Sequence, residues 1–151
     1  MFFGEYSHSL DSKNRLTIPS RFREELKDGA YIMEGLDGNL NVFTPAVFEK
    51  ILENISILTF TDDNVRDIRR KFFGRSGYLE IDTAGRVLIP DYLREAAGIR
   101  DQAVLTGAGS YFEIWSPDGW QQCLERLKNP EANKARFATL KIPLSLTKST
   151  A

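Results

Sequence analysis

The sequence has little of what metal binding and disulfide bonding require. Its 151 residues include one cysteine, Cys123, and one histidine, His8. A single cysteine cannot form an internal disulfide, which fits a chain held in the reducing cytoplasm. Structural zinc needs four ligands at paired spacings, and these two residues do not supply them. We therefore expect no metal site and no cofactor.

Long apolar runs and a strong charge of one sign are also absent. No stretch reaches the length of a membrane span, and Glu5 closely follows Met1, so we expect neither a membrane span nor a signal peptide. The 20 basic and 21 acidic residues leave a formal net charge of −1. A nucleic-acid partner would therefore be bound by a local basic patch and not by the field of the whole chain.

Motifs of catalysis are missing as well. Carboxylates are numerous, but no pair has an arrangement typical of acid–base catalysis, and no motif surrounds His8. The sequence has no phosphate-binding glycine loop and no nucleophile elbow. We expect the chain not to be an enzyme and not to have a small-molecule substrate.

What the chain does contain is an internal repeat. The segment LDSKNRLTIPSRFRE at 10–24 matches IDTAGRVLIPDYLRE at 81–95, at an offset of 71 residues. Residues 35–55 match residues 107–127 at an offset of 72. Two copies of a unit of about seventy residues thus fill most of the chain, which indicates two half-units packed on each other.

Each copy predicts the same order of elements: strand, turn, strand, helix, strand, turn, strand, helix. In the first turn of each copy, Asn14 and Gly85 are the residues that best tolerate a left-handed backbone, so we expect a positive φ there. Ser20 is predicted to cap the short helix that follows Pro19. Four apolar side chains are predicted to face a shared core: Leu16, Ile18, Val87 and Ile89.

The repeat also sets the predicted division of the chain. The first repeat is assigned to 1–60, a basic helical linker to 61–76, the second repeat to 77–128, and a C-terminal helix and tail to 129–151. Because polar chain ends are seldom tied down, we expect the last few residues of the tail to be disordered.

The linker carries a run of basic residues. Asp62 or Asp63 is predicted to cap a helix that ends near Gly74. Five basic residues follow the cap: Arg66, Arg69, Arg70, Lys71 and Arg75. They could contact phosphates, but such a run is more typical of a solvated helix face.

Most aromatic residues have the spacing of core positions and not of a platform on which bases stack. These are Phe43, Phe48, Phe72, Phe73, Phe112, Trp115 and Trp120. Phe2 and Phe3, near the N-terminus, are predicted instead to take part in a contact between subunits.

One short motif occurs in both copies as Asp-x-x-x-Arg, at Asp11/Arg15 and Asp82/Arg86. It spans the tip and exit of a predicted hairpin, and a two-stranded ribbon can enter the major groove, where arginine can bind guanine O6 and N7. The structural interpretation is an Asx-turn and a local salt bridge that set the hairpin geometry. Spacing alone favours the structural interpretation. The two are compatible, because an aspartate can hold an arginine in a pose suited to DNA.

Three segments, FGEYSHSLDSKNRLTIPSRFRE, LEIDTAGRVLIPDYLREAAGI and FEIWSP, closely resemble the bacterial MraZ family. The resemblance implies an α+β fold in which two tandem SpoVT/AbrB-like hairpin repeats form a pseudo-two-fold swapped-hairpin β-barrel with flanking helices. It also implies a ring-shaped homo-oligomer. Such a ring would bind short direct repeats in the promoter of the division and cell-wall gene cluster, mainly as a repressor.

Lys13, Asn14 and Arg15 at the predicted hairpin tip offer donors that phosphates and guanine edges accept. Because the resemblance associates the motif with double-stranded DNA, we expect a DNA site at these three residues and at Arg86, supported by Asp11 and Asp82. Asn14 stands where the family often has glycine, and the second copy, DTAGR, lacks a lysine at the place of Lys13. A protein with this site would be cytoplasmic and associated with the nucleoid.

A sequence-specific transcription factor is thus the main hypothesis. The alternative is a ring-forming protein-interaction scaffold whose hairpin turns are structural, which the acidic pI of about 5.9 favours. A third hypothesis, an enzyme acting on cell-wall precursors, is supported only by the gene neighbourhood that the resemblance implies.

Overall fold

The structure is a computed structural model, which describes residues 1–142. The disorder expected at the end of the tail lies outside these residues. Within residues 1–142, eight strands form the sheets: β1 (Glu5–Ser9), β2 (Arg15–Thr17), β3 (Ala30–Glu34), β4 (Leu40–Phe43), β5 (Gly77–Leu79), β6 (Arg86–Leu88), β7 (Gln102–Gly107) and β8 (Tyr111–Trp115). The described part of the chain also has six α-helices: α1 (Ser20–Arg23), α2 (Pro45–Ser56), α3 (Asp63–Arg69), α4 (Asp91–Ala96), α5 (Pro117–Leu127) and α6 (Pro130–Ala138). The order of strands and helices predicted for each repeat is present, and the fold is α+β.

The six-stranded sheet is symmetric in its strand order, which is β1-β7-β8-β4-β3-β5. Every pairing in it is antiparallel. Exchanging each strand with its counterpart in the other repeat leaves this order unchanged, because β1 lies beside β7 just as β5 lies beside β3. The first strand of each repeat therefore completes the sheet of the other repeat.

A second sheet consists of β2 and β6 alone, paired antiparallel with Leu16 opposite Val87. We call this pair of strands the ribbon. Within residues 1–142, the strand pairings form these two sheets and no closed barrel, so the predicted swapped-hairpin barrel is not confirmed.

The main core is formed by side chains of both the ribbon and the six-stranded sheet. The side chains of Leu16, Ile18, Val87 and Ile89 are almost fully buried in it, as the sequence predicted. Both repeats contribute to this one cluster, since Ile32 and Phe112 belong to it as well. Neither repeat could close the core alone, because removing one would expose the apolar face of the other.

The aromatic residues assigned to core positions are buried or half-buried in the structure. A second, smaller cluster contains Phe43 and Phe48, with the rings of Phe72 and Phe73 packed against it. Phe48 stacks on Tyr31 with ring centroids 4.1 Å apart.

Phe2 does not have the role predicted for it. Its side chain is only 1% exposed, and its ring packs against Phe22 and Phe112 at centroid distances of 5.1 and 5.2 Å. The backbone of Phe2 exchanges two hydrogen bonds with Gly109, which fixes the N-terminal segment on the sheet. Phe2 is therefore a core residue and cannot contact another subunit, whereas Phe3 is 54% exposed.

Ser20 also differs from the prediction. It is the first residue of α1, and the N-cap position is held by Pro19, with no side-chain cap. The Pro19 carbonyl accepts from the N–H of Phe22 at 2.9 Å, so the first turn closes without the serine hydroxyl. Pro90 occupies the same position before α4.

The linker forms α3 and a π-helical turn that ends at Gly74, and Asp62 caps the helix by accepting from the N–H of Asn64 at 2.8 Å. Its basic side chains have structural partners. Arg66 pairs with Asp63, Arg70 with Asp67, Lys71 and Arg75 with Glu34, and Arg69 donates to the carbonyls of Ile55 and Ser56. This pairing agrees with the interpretation of the run as a helix face.

The chain divides into two compact units, one from Met1 to Trp120 and one that begins at Gln121. In the second unit, Asn129 caps α6 by accepting from the N–H of Ala132 at 3.0 Å. The finer division of the chain into two repeats, a linker and a tail stays a prediction.

None of the helices within residues 1–142 is both long and apolar enough to cross a membrane.

Candidate nucleic-acid interface

The first motif forms a tight turn between β1 and β2 that is organised by the carboxylate of Asp11. Its Oδ1 atom accepts from the backbone N–H groups of Lys13 and Arg15, both at 2.9 Å. The backbone N–H of Asn14 donates to the Asp11 carbonyl at 2.9 Å, and Asn14 has the predicted positive φ of 60°. Asparagine fits this position because its short polar side chain tolerates the left-handed region.

The same carboxylate also holds the arginine side chain. Arg15 donates from Nε to Asp11 Oδ2 at 2.8 Å, and both side chains are 31% exposed. In the described part of the chain, neither Nη1 nor Nη2 of Arg15 donates a hydrogen bond. The guanidinium is thus fixed along one edge while its two terminal nitrogens remain available to a ligand.

The second motif repeats this geometry. Asp82 accepts at Oδ1 from the N–H groups of Ala84 and Arg86, and at Oδ2 from Arg86 Nε, in each case at 2.9 Å. Gly85 has the predicted positive φ of 78°. The structural interpretation of the motif is therefore confirmed in both copies as an Asx-turn with a local salt bridge.

A side-chain contact between the repeats also links the two turns. Arg86 donates from Nη1 to Asp11 Oδ2 at 3.5 Å, so Asp11 accepts from both arginines. Over residues 1–142, Arg15 has no matching ion pair with Asp82 within 4.0 Å. Arg86 consequently has fewer unused donors than Arg15, and the two motifs are not equivalent.

Hydrogen bonding lowers the pKa of both carboxyl groups. The backbone N–H of Arg15 is the main group that lowers the pKa of Asp11 below its ordinary value of 3.8. The backbone N–H of Arg86 lowers the pKa of Asp82 in the same way. The lowered pKa values show that the charged form of each aspartate is stabilised by the turn that also holds its arginine.

Arg23 belongs to the same surface, although the sequence did not single it out. Its Nε donates to the Ile18 carbonyl at 2.8 Å, and its guanidinium lies so close to Gly85 that a Cβ atom there would overlap it. The internal repeat could have drawn attention to Arg23, because Arg23 and Arg94 occupy matching positions in the two copies. Arg94, however, donates to Asp91 at 3.1 Å and is largely buried.

The structure thus brings Arg15, Arg86 and both aspartates together at the ribbon. Lys13 lies at the exposed tip of the first turn, and it has no ion pair within the described residues. Its counterpart in the second turn is Ala84, which carries no charge. The assignment of these residues to DNA stays a prediction.

Comparison with known proteins matches the chain to one family. The family profile described as "MraZ protein, putative antitoxin-like" matches the chain twice, at residues 1–71 and 72–141. The chain is 41% identical over 138 residues to the transcriptional regulator MraZ of Roseiflexus castenholzii, which covers 91% of this chain and 94% of that protein.

Other relatives carry the same name. Identity is 44% over 120 residues with the protein of Carboxydothermus hydrogenoformans, covering 80% of this chain and 84% of the relative. It is 37% over 141 residues with that of Thermomicrobium roseum, covering 93% and 99%. The two family-profile matches include both turns, and the three alignments cover between 84% and 99% of these relatives.

Proposed function

The chain belongs to the MraZ family, and from this we propose that it is a sequence-specific DNA-binding regulator of transcription. It binds short direct repeats in its own promoter and acts as a repressor of the division and cell-wall gene cluster. It acts in the cytoplasm, in association with the nucleoid, and needs no cofactor. Double-stranded DNA is its ligand, and no small-molecule substrate is involved.

The proposal rests mainly on the orientation of the Arg15 side chain. The side-on bond from Nε to Asp11 leaves Nη1 and Nη2 unused within residues 1–142, on an exposed two-stranded ribbon. Parallel donors of this kind match guanine O6 and N7, and a ribbon is narrow enough for the major groove. Asp11 already orders the guanidinium. DNA binding therefore costs less side-chain entropy than it would with an unrestrained arginine.

Lys13 and Arg23 supply the contacts that position the protein on the DNA backbone. Both are cationic and lie next to a turn of the ribbon, where a phosphate can be reached. Such contacts carry no sequence information, but they raise affinity through the release of counterions.

One ribbon has too few cations for tight binding, since the chain as a whole has a net charge of −1. We therefore include in the proposal a homo-oligomeric ring, in which several ribbons bind successive repeats of one duplex and gain affinity through multivalency. The proposal also includes the swapped-hairpin barrel, which is supported by the exchange of first strands between the two repeats.

The experiment that tests the proposal compares two duplexes of equal length at several salt concentrations. One carries the region upstream of the protein's own gene, and the other carries the same bases in random order. We expect tighter binding of the upstream duplex at every salt concentration and a steep decline of both affinities with salt. Equal affinity for the two duplexes would contradict a sequence-specific regulator.

A protein-interaction scaffold is the second candidate, because apolar side chains are exposed after α2 at Ile57 and Phe60. Light scattering of the same preparation separates the two functions. A ring that forms normally but binds neither duplex would favour the scaffold, whereas sequence-specific binding favours the regulator.

A further inference from the structure

The outer face of the ribbon has one apolar residue among its polar ones. Side chains alternate along β2 and β6, so Leu16 and Val87 point into the core while Arg15 and Arg86 point outward. Leu88 points outward with the arginines and is 58% exposed. A single exposed leucine is ordinary on most surfaces, but this one lies on the same face of the ribbon as two arginines.

Leu88 is the direct cross-strand neighbour of Arg15. Side chains of residues paired in this way start about 5 Å apart and lie on the same face. At the other end of the ribbon, Arg86 has Thr17 as its neighbour. The pseudo-two-fold symmetry is therefore broken on the outer face, where one arginine is beside a leucine and the other beside a threonine.

The turns at the two ends of the ribbon differ as well. The end of the ribbon with Arg15 and Leu88 also has Lys13 at its tip, whereas the end with Arg86 and Thr17 has Ala84. A symmetric ribbon would bind a palindrome, because its two ends would recognise the same bases. A ribbon with two different ends can bind an asymmetric sequence in one orientation.

We infer that Leu88 is a specificity-determining residue that recognises the C5-methyl group of a thymine in the major groove, next to the base contacted by Arg15. The inference rests on the proposed function, because it names a further contact at the same DNA site. Thymine is the only base with a methyl group in this groove, and apolar side chains bind it. Burial of one methyl group against Leu88 corresponds to an affinity difference of about fourfold.

The test uses a duplex that the wild-type protein selects from a random library. This duplex is resynthesised with deoxyuridine in place of one thymine at a time, which removes only the C5-methyl group. Wild-type protein should bind about fourfold more weakly when one particular thymine is replaced. Leu88→Ala should bind the thymine and deoxyuridine duplexes equally, with an unchanged dependence of affinity on salt, because phosphate contacts are retained.

Two variants serve as controls. Leu88→Met keeps an apolar side chain at the position and should retain the discrimination. Leu36→Ala removes another leucine, 78% exposed and outside the ribbon, and should also retain it.

The outcomes separate the inference from the proposed function. If the wild-type protein enriches no sequence, the regulator itself is contradicted. If it enriches a sequence but is indifferent to every thymine methyl group, or if Leu88→Ala still discriminates, the role of Leu88 is wrong while the regulator stands.

Discussion

Arg86 and Asp11 are 75 residues apart in the chain, yet Nη1 of Arg86 lies 3.5 Å from Oδ2 of Asp11. This contact adds a side-chain link between the repeats to the backbone pairing of the ribbon, and it makes Asp11 the acceptor for both arginines. It also distinguishes two motifs whose local geometry is otherwise the same. Arg15 keeps both terminal nitrogens unused within the described residues, whereas Arg86 uses one of them to hold the turns together.

Replacement of Arg15 by alanine should weaken promoter binding by about 1–3 kcal/mol for each ribbon engaged. Because the ion pair with Asp11 is partly exposed, the free energy of unfolding should change by no more than about 1 kcal/mol. Fluorescence anisotropy and thermal melting of the same preparation measure both effects. Arg86→Ala is the matched control and should weaken binding less. Normal promoter affinity in Arg15→Ala, together with a lowered melting temperature, would show that the motif is structural only.

Lys13→Ala should weaken binding to promoter and random duplexes by the same factor. The side chain lies at an exposed turn tip without an ion pair in the described part of the chain, which suits a phosphate contact. The slope of log affinity against log salt should become less negative by roughly one unit per lost contact. A selective loss for the promoter duplex would instead make Lys13 a base contact.

The contribution of the two motif aspartates to the free energy of unfolding should be lost at acidic pH. Both have a pKa below the ordinary 3.8, mainly because backbone N–H groups donate to them. A folded-state pKa below the unfolded value means that the contribution is fully present above pH 3.8 and is lost as the pH falls through the folded-state pKa.

The double variant Asp11→Asn/Asp82→Asn should therefore show a smaller loss of stability on acidification than wild-type protein does. Urea unfolding between about pH 5 and about pH 2 measures this difference. Parallel curves for the two proteins over this range would contradict the assignment.

Gly85→Ala and Gly38→Ala form a matched pair, because both glycines have a φ close to +80°. Each alanine should cost about 1–2 kcal/mol for the left-handed backbone. Only at position 85 would the new Cβ meet the guanidinium of Arg23, since position 38 has no neighbour within 4 Å. We expect Gly85→Ala, and not Gly38→Ala, to weaken DNA binding. An equal effect of the two on affinity would remove Arg23 from the proposed interface.

Phe2→Ala should lower the free energy of unfolding by about 3–5 kcal/mol, because the ring is buried between Phe22 and Phe112. Phe3→Ala removes an exposed ring whose contact is the guanidinium of Arg21, 5.6 Å from the ring centroid, and should cost less than about 1 kcal/mol. Urea unfolding of the two variants measures the difference. Similar losses would mean that Phe2 is not a core residue.

Local rules of sequence determined much of this fold. The positive φ at Asn14 and Gly85 follows from the few residue types that tolerate it. The burial of Leu16 and Val87 follows from alternation along a strand, which places every second side chain on the same face. The geometry of each Asp-x-x-x-Arg turn could be predicted because its partners lie within four residues of one another.

Only the tertiary structure decided how the two copies combine. The pairing of β1 with β7, the burial of Phe2, the position of Arg23 against Gly85 and the bond from Arg86 to Asp11 all join segments far apart in the chain. The repeat shows that the copies are alike, but it does not say which strand of one pairs with which strand of the other. That choice depends on which pairing buries both apolar faces in a single core, and this is a property of the whole chain and not of either copy.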